Sequence, residues 1–143
     1  TINTTYMDTE YEVGVTLYYR ISAFDHSGNM GEFSETVDMT IMWADLENAI
    51  PNKYTIHQNY PNPFNPSTTL RYALPEQSDV KITIYDMIGR KVKTLVNSSQ
   101  NAGYKSVIWD ATDEYGKQVG AGMYLYQIQA GEYMQTKKMV LLK

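Results

Sequence analysis

The chain has no cysteine and only two histidines, His26 and His57, among its 143 residues. The first absence excludes disulfides, thiolate nucleophiles and cysteine-ligated metals. The second makes any Ser/His/Asp triad or imidazole-bound metal depend on one of two residues. No apolar run is longer than that from Met139 to Leu142, far too short to cross a bilayer as a helix, so no membrane span is expected. Helical periodicity is missing as well: no window keeps apolar residues at i, i+3, i+4 and i+7. Nor is there a nucleophile elbow, a phosphate-cradling glycine loop or a paired acid and base, so the expectation is a non-catalytic protein without a cofactor.

Bases are scarce at one end. Residues 1–50 hold nine acids and one base, a balance of −8, while residues 51–143 hold seven acids and eleven bases, a balance of +4. A step in charge of this size marks a boundary between structural units. The chain opens on Thr1 with no charged segment leading into an apolar core, which reads as the tail of a longer protein.

What is present is period two. Tyrosine occurs 13 times, and β-branched and aromatic residues gather in short runs separated by Gly, Asn, Asp and Pro. The chain is expected to be all-β. In residues 1–41, Leu17, Tyr19, Ile21 and Ala23 alternate with Tyr18, Arg20, Ser22 and Phe24, a turn follows over Asp25–Gly31, and Glu35–Ile41 supplies the hairpin partner. Residues 42–50 have a linker composition, in which Trp43 argues for packing at an interface. After Pro51 seven strands are expected: Tyr54–Asn59, Thr68–Ala73, Asp79–Tyr85, Lys91–Val96, Gly103–Trp109, Gly122–Ala130 and Tyr133–Leu142. Seven short strands with turns at this spacing predict an immunoglobulin-like antiparallel β-sandwich over residues 51–143.

The densest local signal is Gln58–Thr69, where three of the five prolines, Pro61, Pro63 and Pro66, fall within six residues. Each fixes its own φ and restricts Tyr60, Asn62 and Asn65 before it to extended backbone. The expectation is a stiff, polyproline-like corner at a sandwich edge, anchored by buried Phe64 and Tyr60, with a ligand for an aromatic groove as the alternative. Asp110 and Asp113, with Glu114 beside them, offer oxygen ligands for Ca²⁺, but the spacing is not that of an EF-hand and turn formation explains the same residues. Arg90, Lys91 and Lys93 read as a solvated hairpin, without the broad basic face that a nucleic-acid site needs.

Three family resemblances rest on these motifs. TLYYRISA (Thr16–Ala23), FDHSGNMG (Phe24–Gly31) and Ser34–Val37 resemble the last strands of a fibronectin type III domain, of which residues 1–41 would supply about three. The second unit resembles the type A sorting domain of type IX secretion cargo proteins. The residues that carry this are QNYPNPFNPSTT (Gln58–Thr69), LRYALP (Leu70–Pro75), IYDMIG (Ile84–Gly89), Ala102-Gly103, Trp109-Asp110, Gly116, GMYLY (Gly122–Tyr126), Ala130-Gly131 and KKMVLLK (Lys137–Lys143). A weaker, overlapping resemblance is to the immunoglobulin-like domain of flagellar hook-capping proteins. Ala111 stands where the sorting family has glycine after Trp-Asp, and alanine there asks for a negative φ.

The sorting resemblance implies a label that directs a larger protein across the periplasm and through the outer-membrane type IX machinery to the cell surface or medium, in some cases followed by a sortase. It implies that recognition lies in the final strand, Lys137, Lys138, Met139, Val140, Leu141, Leu142 and Lys143. On physical grounds the four apolar residues form a buried edge strand whose lysines stay solvated for an acidic receptor, and a lysine-protected edge strand explains the same pattern. The rival functions are an extracellular fibre subunit and a carbohydrate-binding or adhesion module. Residues 1–41 lack an opposing sheet, so upstream domains or another copy are expected to cover them.

Overall fold

The computed structural model describes residues 16–40, 42 and 49–143. Trp43 and most of the expected linker lie outside the described residues. The chain divides into two compact units, Thr1–Glu47 and Asn48–Lys143.

In the first unit β1 (Thr16–Tyr19) pairs antiparallel with β2 (Val37–Thr40). The strand expected to run on to Phe24 continues only as single contacts: Ser34 N–H donates to Ile21 C=O, Gly31 N–H donates to Ala23 C=O, and Phe24 bridges Met30. The Arg20 guanidinium lies 4.3 Å from the centre of the Phe33 ring, a cation–π contact that joins the two arms.

The second unit is an all-β sandwich. Its seven strands are β3 (Thr55–Ile56), β4 (Thr68–Leu74), β5 (Ser78–Asp86), β6 (Lys91–Gln100), β7 (Gly103–Trp109), β8 (Gly122–Ala130) and β9 (Tyr133–Leu141). They form a three-stranded sheet, β3-β4-β7, and a four-stranded sheet, β6-β5-β8-β9, with every pairing antiparallel. Period-two alternation turns Val80, Ile82 and Ile84 of β5 inward beside Tyr124, Tyr126 and Ile128 of β8, to meet Leu70, Tyr72 and Leu74 of β4. Trp109 lies at the centre, edge-on to Tyr124 at 5.2 Å and tilted against Phe64 at 5.6 Å.

Strand β6 extends past the expected Val96 to Gln100. Asn97, Ser98 and Ser99 are poor strand formers, but the ladder to Ser78–Lys81 carries them, and the turn shrinks to Asn101-Ala102. Two register shifts against β5 skip Leu95 and Val92, and both skipped residues pack on the core. Strand β3 is shorter than the expected Tyr54–Asn59: after His57, whose N–H still donates to Arg71 C=O, the ladder to β4 is broken until Tyr60 meets Thr69, and the chain then runs to the edge of the other sheet.

One turn recurs three times. In Asp25–Asn29, Asp86–Arg90 and Asp113–Lys117, the Asp N–H donates to the C=O four residues on, and the Gly N–H donates back to the Asp C=O. The Asp Oδ1 accepts from the N–H groups two and four residues later. Gly28, Gly89 and Gly116 take φ of 83°, 83° and 78°, the left-handed region open to glycine, which explains the shared Asp-x-x-Gly spacing.

Candidate functional site

The two segments singled out in the sequence, the proline corner and the last strand, meet at one edge of the sandwich. Strand β9 is the edge of its sheet, and the alternation of the β8–β9 ladder turns the main-chain groups of Lys138, Val140 and Leu142 away from β8. The corner takes them up. Gln58 Nε2 donates to Lys138 C=O at 2.9 Å, and Val140 N–H donates to Asn62 Oδ1 at 3.0 Å. Phe64 N–H donates to Val140 C=O at 3.0 Å, and Leu142 N–H donates to Phe64 C=O at 2.9 Å, a parallel bridge between Phe64 and Leu141.

The corner is itself held from within. Asn59 is buried; its Nδ2 donates to Pro61 C=O and Thr68 Oγ1, and its N–H donates to the Tyr126 hydroxyl. Tyr126 OH in turn donates to His57 C=O at 2.9 Å, and burial pushes its pKa up to about 12. Tyr60 and Thr69 exchange both main-chain bonds and close the loop. Phe64 is 1% exposed, as expected, but Tyr60 is 72% exposed: its backbone, not its ring, is the anchor. Asn59 Nδ2 and the Thr68 hydroxyl both donate to Pro61 C=O, and residues 60–66 form a folded loop in place of the expected extended corner; the bonds before Pro61, Pro63 and Pro66 are cis. Asn65 and Pro66 lead exposed out of this loop toward β4.

The last strand does not bury its four apolar residues together. Met139 and Leu141 are in the core, while Val140 is half-buried and Leu142 is half-exposed, because alternation sends them to the opposite face. Lys137 and Lys138 point to opposite faces for the same reason, and Lys143 lies beyond the strand end. The three lysines therefore do not form one surface cluster.

Asp110 and Asp113 serve their own turns. Asp110 Oδ1 accepts from the Thr112 hydroxyl at 2.5 Å and Thr112 N–H at 3.2 Å, with Lys93 Nζ at 3.5 Å. The Thr112 hydroxyl, with help from the Lys93 charge, holds the Asp110 carboxyl below its ordinary pKa against desolvation. Asp113 Oδ1 is taken by the amides of Tyr115 and Lys117. Among the described residues no group of three or more His, Cys, Asp or Glu side chains is placed to hold a metal ion. Ala111, expected at negative φ, takes φ 57° and is buried: it adopts the backbone that glycine favours.

Sequence reasoning missed the side chains of Gln58 and Asn59, and gave Asn62 a backbone role in the corner without the bond its side chain makes. The available signal was their position: amides that flank prolines must find partners for groups the prolines cannot serve. Among the described residues the well-exposed tyrosines Tyr18, Tyr60 and Tyr115 lie on three separate elements and form no sheet-borne row for stacking on sugars.

Residues 65–133 match the sequence model of the family described as the FlgD Ig-like domain, the weaker of the second unit's two resemblances. The match covers β4 to β8 and leaves out β3, the corner Gln58–Phe64 and all of β9 after Tyr133. No curated protein matches the chain. Among solved structures, the chain is similar to dimeric latent PorU from Porphyromonas gingivalis, at 21% identity over 92% of this chain with a TM-score of 0.53. A second likeness is to PorZ, described as an essential bacterial surface component of the type-IX secretion system of the same organism, at 17% identity over 68% of this chain with a TM-score of 0.45. The chain spans about 12% of each of these two proteins' chains. At such identity the PorU likeness bears on the fold alone.

Proposed function

We propose that the second unit is a sorting domain that directs a larger protein through the type IX outer-membrane secretion machinery to the cell surface or medium, without catalytic activity of its own. One observation carries the reading. The two segments most particular to the sorting-family pattern, Gln58–Phe64 and Lys138–Leu142, are about 80 residues apart in sequence and are hydrogen-bonded into one edge.

Removing Lys137–Lys143 would be a poor test, because it takes Met139 and Leu141 out of the core. The test is a reporter with its own inner-membrane export signal, fused ahead of the full chain and expressed in a bacterium with type IX secretion. The reporter is expected outside the cell with the chain and in the periplasm without it, and to stay in the periplasm when the translocon is deleted. A reporter that remains periplasmic while fused to the folded, unaltered chain overturns the reading.

A further inference from the structure

The outward face of the β6-β5-β8-β9 sheet has its own pattern. Register places Lys91, Tyr85, Leu125 and Lys138 in one row across the four strands, with Met123 beside Val140 in the next. In β5, β8 and β9 these are the positions that alternate away from Ile84, Tyr126 and Met139 in the core. Tyr85, Leu125 and Val140 are half-buried and Met123 is 47% exposed, so the centre of the face is apolar and still reachable. A lysine stands at each end of the row. Lys91 Nζ lies 3.7 Å from Glu114, and Lys138 makes none of the ion pairs found among the described residues. On β5, β8 and β9 the only acid that alternates outward is Asp79, far down the sheet opposite Ser99.

The edge route to the same strand is closed. Lys138 C=O, both main-chain groups of Val140 and Leu142 N–H are already bonded to Gln58, Asn62 and Phe64, so a partner that reads this half of β9 meets its face. An apolar strip ended by cations matches a segment of opposite design, apolar in the middle and acidic at its ends. We propose that this face docks an acidic, strand-like segment of a second protein. Its carboxylates would meet Lys138 and Lys91, and an apolar side chain would cover Tyr85 and Leu125. The inference rests on the sorting reading for the identity of that protein, which is then part of the secretion machinery, but the face and its chemistry are measurable without it.

The experiment titrates the isotope-labelled full chain with a short synthetic peptide that carries a glutamate near each end and a valine between them on the same strand face, followed by amide chemical shifts. Saturable shifts are expected at Tyr85, Leu125, Lys138 and Val140, weakening as salt is raised. Lys138→Glu should weaken binding roughly tenfold, while Lys53→Glu, outside every strand, should leave it unchanged. Should Lys138→Glu disturb the fold, Lys91→Glu carries the same expectation. No saturable shift, shifts confined to the open edge at Met134 and Thr136, or self-association that covers this face would each overturn the inference. Failure of the peptide leaves reporter export standing, and failure of export leaves the peptide result standing, so the two readings fall separately.

Discussion

Phe64 and Leu141 lie side by side as a single parallel bridge in an otherwise antiparallel unit, Phe64 N–H donating to Val140 C=O and its C=O accepting from Leu142 N–H on either side of Leu141. The Phe64 ring is buried against Trp109 on one side of this joint, and the Leu141 side chain is buried in the same core. Edge cover and core packing are thus one structural event, and the loop cannot leave the edge of β9 without withdrawing an aromatic ring from the interior.

Phe64→Ala is therefore expected to cost about 3–5 kcal/mol, the range for a buried aromatic whose cavity does not collapse. Denaturant unfolding of the full chain, followed by tryptophan fluorescence, measures it. A loss below about 1 kcal/mol would mean that the loop is held by its backbone alone.

Asn62 makes a narrower test, since its Oδ1 is the acceptor for Val140 N–H. Asn62→Ala should cost about 1 kcal/mol and speed hydrogen exchange at the Val140 amide by roughly five- to tenfold, as the strand edge opens. Asn62→Asp keeps an acceptor and should restore protection. Unchanged exchange in the alanine variant would remove this side chain from the joint.

At Ala111 opposing terms nearly cancel. Glycine there relieves about 1–2 kcal/mol of left-handed strain but gives up about 0.8 kcal/mol of methyl burial and about 0.5–1 kcal/mol of chain entropy. Ala111→Gly should thus leave stability within about 1 kcal/mol of the parent, whereas Ala111→Val, a β-branched side chain in a left-handed, buried position, should cost more than about 2 kcal/mol. Equal stability for the two variants would contradict the backbone assignment.

Tyr126 predicts how the second unit responds to alkali. Its pKa is raised from the ordinary 10 to about 12 because burial disfavours the phenolate. A phenol with a folded pKa above its unfolded one contributes its stability in full below pH 10 and loses it as pH rises through 12, since only the unfolded chain ionises in that window. Unfolding should therefore become easier between those limits. Tyr126→Phe should flatten this dependence and also cost about 1–3 kcal/mol at neutral pH, because Asn59 N–H and His57 C=O lose their shared partner. A variant with the parent's alkaline slope would place the responsible group elsewhere.

Much of the sandwich was legible because its strands bury one face, and burial writes itself into a sequence at period two: Val80, Ile82 and Ile84, or Tyr124, Tyr126 and Ile128. Phe64 was legible for a related reason, as the one large apolar side chain amid prolines. Tyr60 misled because aromatic character says nothing about which way a residue beside a turning chain points. The reach of β6 to Gln100 was hidden because Asn97, Ser98 and Ser99 are held by their partners in β5, not by their own preference. The joint between the loop and β9 was invisible as well, since hydrogen bonds across 78 residues leave no mark on local pattern.

The Asp-x-x-Gly turns imply a separation of labour within the surface. Each is closed by its own Asp and Gly within five residues, and the tip side chains of two of them, Met87, Ile88 and the 94% exposed Tyr115, make none of these closing bonds. Such positions behave as interchangeable display sites on a fixed frame. Libraries randomised at these three tips would sample new surface chemistry while drawing on none of the contacts that hold the sandwich together, much as hypervariable loops ride on a constant scaffold.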